Sequence, residues 1–321
     1  MKIAVVGCGA LGSFYGARLG RHGETVHFLL RSDYAAVRQH GVRVQSIDGD
    51  FHFHPHCALH PEEIGVCDLV LIGLKTTANH EFGRLLPPLT GPQTLVVTLQ
   101  NGLGNEKQLA ALFGPDNILG GLCFVCLNRL SPGVIHHTAH GHILLGEYQR
   151  TPRPRTRHLA ALFQQAGVPC DLTGNLEAAH WRKLIWNVPF NGLGVAGVAG
   201  YEGVVSGCLP AGSRNRPCLT TDILLGDPRW EKLVCELMGE VIATANSLGF
   251  ALDESLIEDN IKRTQCMGAY KASTLVDFER RQTIELESLF LAPLRQARLA
   301  GVETPRLAAL CAVLSELSRD A

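Results

Sequence analysis

Lys183, Asn187 and Asn191 stand four residues apart, with the apolar run Leu184-Ile185-Trp186 between the first two. On a helix that spacing lines up one cation and two amides along a single face, where they can point together into a cleft between domains. Burying such a stripe is costly unless a polar partner meets it, and a polar substrate would be that partner. The lysine suits a definite chemistry: a carbonyl that accepts a hydride becomes an alkoxide, and an ammonium can stabilise that charge and hand over a proton. Pro189 removes one N–H from the helix ladder, so a kink beside the stripe is expected. The competing reading is a pair of amides that only cross-link a helical core.

Ser273 and Asp277 are again one helical turn apart, and Glu285 follows two turns beyond Asp277, ahead of the apolar run 286–294. These three could form an opposite wall, with Glu285 pairing with Lys183 and orienting it. Glu287, two residues on, competes for that assignment as a solvated carboxylate.

A hydride needs a donor, and the amino-terminal residues offer a place for one. Residues 2–6 read as a buried strand, Gly7-Cys8-Gly9-Ala10-Leu11-Gly12 as a tight turn opening a helix to about Arg21, and 25–30 as a second strand ending at Arg31. Directly after a strand and before a helix, Gly-x-Gly-x-x-Gly is a dinucleotide fingerprint. Its first glycine makes the turn, the second admits the pyrophosphate and the third lets helix and strand pack closely. An acidic residue at the end of the second strand would bind the ribose hydroxyls of NAD. Arg31-Ser32 stands there instead, and a guanidinium fork matches a 2′-phosphate, so NADP(H) is the expected cofactor, although the nearby Asp33 argues for NAD. Lys75 and Gln100-Asn101-Gly102 follow two further strands, at the carboxyl ends where open sheets bind ligands. Lys75 reads equally as a solvated helix start, and Asn101 as a plain turn residue.

Strands at 68–74 and 94–99 alternate with helical segments, which argues for a parallel sheet around these residues. Residues 42–56 alternate around Asp48-Gly49 and predict an edge hairpin, and a second hairpin is predicted at 131–146. Beyond about Thr173 helical periodicity takes over, at 176–188, 230–248, 256–264, 283–300 and 304–318. The expected architecture is α/β, with a Rossmann-type doubly wound sheet over residues 1–173 and an all-α domain over 174–321. Residues 207–228, rich in Gly, Pro, Ser and Asn, read as a long surface loop.

Composition narrows the partners. The chain has 321 residues, is 46% apolar and 18% charged, and carries a formal net charge of -1. Its Lys and Arg residues are scattered, so no basic footprint for nucleic acid is expected. No apolar run is long enough for a membrane span, and no export signal opens the sequence, so a cytoplasmic location is expected. The eleven cysteines follow no repeated spacing and read as buried thiols; Cys123 and Cys126 read as part of a buried strand. His52, His54 and His56, and the group His136, His137, His140 and His142, lack neighbouring ligands at metal spacing and read as hairpin histidines, so no metal is expected. The apolar late helices leave room for a homodimer.

Taken in order, Gly7–Gly12, Arg31, Lys75, Asn101, Trp181-Arg182-Lys183, Asn187, Asn191, Ser273, Asp277 and Glu285 resemble the ketopantoate reductase (2-dehydropantoate 2-reductase) family over nearly the whole chain. The resemblance implies NADPH-dependent reduction of a 2-keto acid to a 2-hydroxy acid, with 2-dehydropantoate as the best substrate. It implies Lys183 as proton donor, Asn187, Asn191 and Ser273 as substrate holders, and Glu285 and Asn101 as bridges between cofactor and substrate. It also implies an active site in the cleft between the two domains. The chain departs from the family in having Gly192-Leu193-Gly194-Val195 where Pro-Leu-Thr is common, and Tyr201 where a substrate-binding Asn is expected. Two rivals remain: a 3-hydroxy acid dehydrogenase, which lacks the late Ser and Glu, and a non-catalytic NADP-binding sensor, which needs no proton donor.

Overall fold

A strand buried on both faces must be apolar along its buried length, as Ile3–Val6 is near the start of this chain. In the computed structural model, which describes residues 1–319, β1 (Lys2–Val6) leads through α1 (Ala10–His22) to β2 (Thr25–Leu29). Next come α2 (Tyr34–His40), β3 (Val42–Ser46), β4 (Phe51–Phe53), β5 (His56–Ala58) and β6 (Leu69–Ile72). The rest of this region holds α3 (Phe82–Leu85), β7 (Leu95–Thr98), α4 (Asn105–Phe113), β8 (Ile118–Ser131), β9 (Val134–Glu147), α5 (Pro154–Gln165) and β10 (Cys170–Leu172). Among the described residues these ten strands form one sheet in the order β4-β3-β9-β8-β7-β6-β1-β2-β5, with β10 beside β9.

The strands from β8 through β7, β6, β1 and β2 to β5 run parallel, and β8 and β9 form a long antiparallel hairpin. Ile3, Val5, Leu69 and Leu71 pack into one core with Phe14 and Tyr15 of α1 and Phe163 of α5. Ala4, Val6, Val70 and Ile72 pack into the other with Phe82, Leu86 and Leu109. Helices therefore cover both faces, and the parallel strands end together at the turns that carry Gly7, Arg31, Lys75 and Asn101.

The helical region comprises α6 (Leu176–Ala196), α7 (Tyr201–Ser206), α8 (Thr221–Gly226), α9 (Pro228–Ser247), α10 (Ser255–Gln265) and α11 (Ser273–Glu279). A π-helical turn (Glu287–Leu291) then runs into α12 (Ala292–Leu299), and α13 (Pro305–Ser318) follows. Its core is separate, built on Trp181, Ile185, Val188 and Phe190 of α6, Leu237 and Val241 of α9, and Leu310 and Leu314 of α13. By contacts the chain divides into two compact units: Met1–Asn101 with Asn105–Glu177, and Gly102–Gly104 with the residues from Ala178 onward.

Five expectations need correction. The hairpin at 42–56 ends with β4; His56 belongs to β5, which pairs with β2 at the far edge of the sheet. The second hairpin is much longer than 131–146, since β8 reaches back to Ile118. Residues 207–228 are not one surface loop: α8 lies within them, with Leu224 and Thr221 buried. Finally, α6 runs on past Val188 through Pro189 to Ala196, whereas the predicted helix at 283–300 begins only after Glu285 and opens in a π turn.

Candidate functional site

The glycine turn is built as its spacing requires. Gly7 has φ +94°, open to glycine but strained for other residues, and a side chain there would meet the backbone of Gly73 and Leu74. A methyl on Gly12 would lie 2.3 Å from the Gly7 carbonyl oxygen, so α1 can press onto β1 only because position 12 is bare. Gly9, at the N-cap of α1, faces open space, and no side chain caps the helix there. This is room for a phosphate to approach backbone N–H groups at the positive helix end. At Cys8 in the same turn, burial, then the neighbouring Cys57 and Asp33, push the thiol well above the usual range. The eleven cysteines are all free thiols, and burial pushes Cys170 up to about 12.

Arg31 is exposed just past β2, and Lys75 is exposed just past β6. Asp33 behaves differently. It is 5% exposed, and both its oxygens lie 2.6 Å from Nη1 of Arg129 on β8.

Past β6 and β7 a chain of side-chain amides ties the two turns together. The Thr98 hydroxyl donates to Gln100 Oε1 (2.9 Å), and Gln100 Nε2 donates to Asn79 Oδ1 (2.7 Å). Asn79 Nδ2 donates to Asn105 Oδ1 (2.9 Å), and Asn105 Nδ2 to the Asn101 carbonyl (3.1 Å). Each amide donates one way and accepts the other, which fixes every orientation in the series. Asn79 lies in the short 3-10 helix Thr76–Glu81 that begins beside Lys75. Lys75 and Asn101 thus sit on one braced framework. Sequence reasoning named Gln100 and Asn101 but missed Asn79 and Asn105, which sit outside any motif.

In the helical unit, Lys183 is half-buried and Asn187 and Asn191 are buried on α6. Asn191 Oδ1 accepts from the Thr274 backbone N–H (3.0 Å) and the Ser273 hydroxyl (3.3 Å), and its Nδ2 donates to Asn187 Oδ1 at 3.4 Å. In the first turn of α11, whose N-cap Ala272 brings no side-chain acceptor, the Thr274 N–H thereby finds its acceptor on α6. Asn187 accepts with its carbonyl, so its amide donors are oriented away from Asn191.

Asn187, Asn191 and Ser273 are therefore brought together, and Asp277 is buried one turn along α11. Glu285 is buried as well, but not two turns along one helix from Asp277, because α11 ends at Glu279 and residues 280–285 are not helical. Glu287 is exposed and paired with Arg295, a solvated carboxylate rather than a buried one.

The departures from the family pattern fall on packing. A methyl on Gly192 would press on Leu310 and Phe290, and Leu193 and Val195 are fully buried. Tyr201 stacks edge-on against Trp230 with 5.4 Å between ring centroids and lies under the Arg229 guanidinium. His52 on β4 meets His54 edge-on with 4.5 Å between ring centroids, His56 stacks on His27 of β2, and among the described residues no three His, Cys, Asp or Glu are grouped to hold a metal. Among those residues, too, no helix is long and apolar enough to cross a membrane.

Known proteins resemble this chain along its length. The sequence profile of ketopantoate reductase PanE/ApbA matches residues 3–150, and that of its C-terminal region matches 218–318. A 2-dehydropantoate 2-reductase from Nostoc sp. is 38% identical over 312 residues, covering 95% of this chain and 92% of its own. The crystal structure of 2-dehydropantoate 2-reductase from Geobacter metallireducens superposes with a TM-score of 0.89 at 42% identity, covering 98% of this chain and 99% of that one. That from Methylococcus capsulatus gives 0.86 at 34% identity, covering 99% and 96%.

Proposed function

This chain belongs to the ketopantoate reductase PanE/ApbA family, and from that premise we propose that it reduces 2-dehydropantoate to pantoate with NADPH. The observation that carries the reading is the polar seam joining α6 to α11, where Asn187, Asn191 and Ser273 meet in an otherwise apolar helical core. In that seam Asn187 accepts with its carbonyl, which orients its amide donors away from Asn191 and suits them to a polar substrate.

The residues fit the cofactor. Gly9 faces open space at the N-terminus of α1, and Arg31 stands exposed at the end of β2, where a planar guanidinium suits a 2′-phosphate. When bound, NADPH supplies the hydride that reduces the keto carbon.

The chain's own residues do the rest. Lys183 holds its ammonium toward the substrate oxygen, stabilises the charge that develops there and passes on a proton from Nζ. Asn187 and Ser273 offer an amide and a hydroxyl for the substrate's carboxylate and hydroxyl, with Asn191 holding both in place. Glu285 and Asp277 are carboxylates suited to orienting Lys183 and the substrate hydroxyl, and Lys75 and Asn101 complete the cofactor side.

NADPH oxidation followed by absorbance tests this, using a panel of 2-keto acids that includes 2-dehydropantoate, repeated with NADH. The expected result is fastest turnover with 2-dehydropantoate and NADPH together. Cofactor binding without turnover of any keto acid in the panel would reject the reaction and leave only a nucleotide-binding protein.

A further inference from the structure

Asp33 lies two residues beyond Arg31 at the end of β2. A carboxylate there binds ribose hydroxyls well and opposes a 2′-phosphate, because like charges close together repel. Its charge also reaches the glycine turn, where it acts on the Cys8 thiol behind burial and Cys57. Yet Asp33 is not available as a ribose ligand. Arg129 Nη1 lies 2.6 Å from both carboxylate oxygens, and the Ser32 hydroxyl donates to Oδ1 at 3.1 Å. The carboxylate is buried, whereas the Arg129 side chain is 37% exposed, so the pair presents its cationic partner outward.

We propose that Arg129, 96 residues further along the chain and on the β8–β9 hairpin, is a specificity-determining residue for the cofactor. By engaging Asp33 it cancels the one carboxylate that would select against a 2′-phosphate, and so leaves Arg31 as the charge that phosphate meets. Arg129 is a positioning residue in this scheme, since it acts through Asp33. The inference rests on the NADPH reading above.

The test compares KM and kcat for NADPH and NADH in the wild type, Arg129→Gln, Asp33→Asn and the double variant. Arg129→Gln should lose NADPH preference on the order of tenfold, through KM for NADPH rather than kcat. A merely structural role would raise both cofactors' KM values alike. Asp33→Asn alone should keep the wild-type preference. The double variant should regain it to within about threefold, because the neutral pair leaves no charge to cancel.

Unchanged preference in Arg129→Gln overturns the inference, and so does a double variant as impaired as the single one, which would mean that Arg129 meets the phosphate itself. If Arg129→Gln does not fold, the double variant, with no buried charge, still decides by keeping or losing the preference. A wild type that prefers NADH rejects the cofactor reading and this inference with it. A wild type that prefers NADPH beside an indifferent Arg129→Gln rejects the inference alone.

Discussion

In the proposed reaction, Lys183 is the residue on which the chemistry turns. Lys183→Ala should lower kcat by about 10²–10⁴, the usual worth of a positioned general acid, while a fluorescence titration shows NADPH binding unchanged. Weakened NADPH binding with kcat preserved would move Lys183 from the reaction to the cofactor. This residue, with Asn187 and Asn191, is legible in the sequence because one regular helix holds all three and the four-residue spacing carries directly into space. Glu285 is legible as a residue but not by its spacing, since the helix assumed around it breaks after Glu279. The double duty of Asn191 is not legible at all: its partners are 82 and 83 residues away, and no local pattern announces a helix capped by an amide on another helix.

Between residue and fold stands the amide series from Thr98 to Asn101, which holds the turns after β6 and β7 in fixed relation. Asn79→Ala would strand Gln100 Nε2 and Asn105 Oδ1, at a cost of about 1–3 kcal/mol for each buried group left unpaired. The expected outcome is a lower melting temperature together with a higher KM for NADPH and little change in kcat. A variant that melts lower with KM intact would confine the series to structure. Apolar periodicity revealed the elements that are long or buried on both faces, such as β1, β6, α9 and α13. It failed where the signal is short or masked. The six residues of α8 are too few to show a period, although Leu224 is fully buried. In β8, Gly120-Gly121 imitates a turn. These glycines sit in a strand because neighbours crowd them, Glu106 and Leu176 against Gly120 and Leu99 against Gly121.

The whole molecule has two kinds of core, one on each side of a sheet and one of helices only, and the change in periodicity along the sequence reflects that difference. What periodicity could not show is that the chain visits the helical unit early. After Asn101 it contributes Gly102–Gly104 there, returns at Asn105 and leaves the sheet for good after Glu177. Gly102 takes φ +81° with its α-carbon close against Ser288, Leu103 packs on the helical core, and the Leu103 N–H donates to the Ser288 carbonyl at 2.9 Å in the π turn. The consequence reaches recombination between genes. A single crossover at codon 177 joins the helical half of one parent to three of its own residues inherited from the other. A double crossover that moves codons 102–104 with the carboxyl-terminal half keeps the unit's parentage whole. Chimeras with a relative that differs at 102–104 should therefore melt higher when made by two exchanges than by one, and equal melting would show that the early visit is a detour the helical unit can do without.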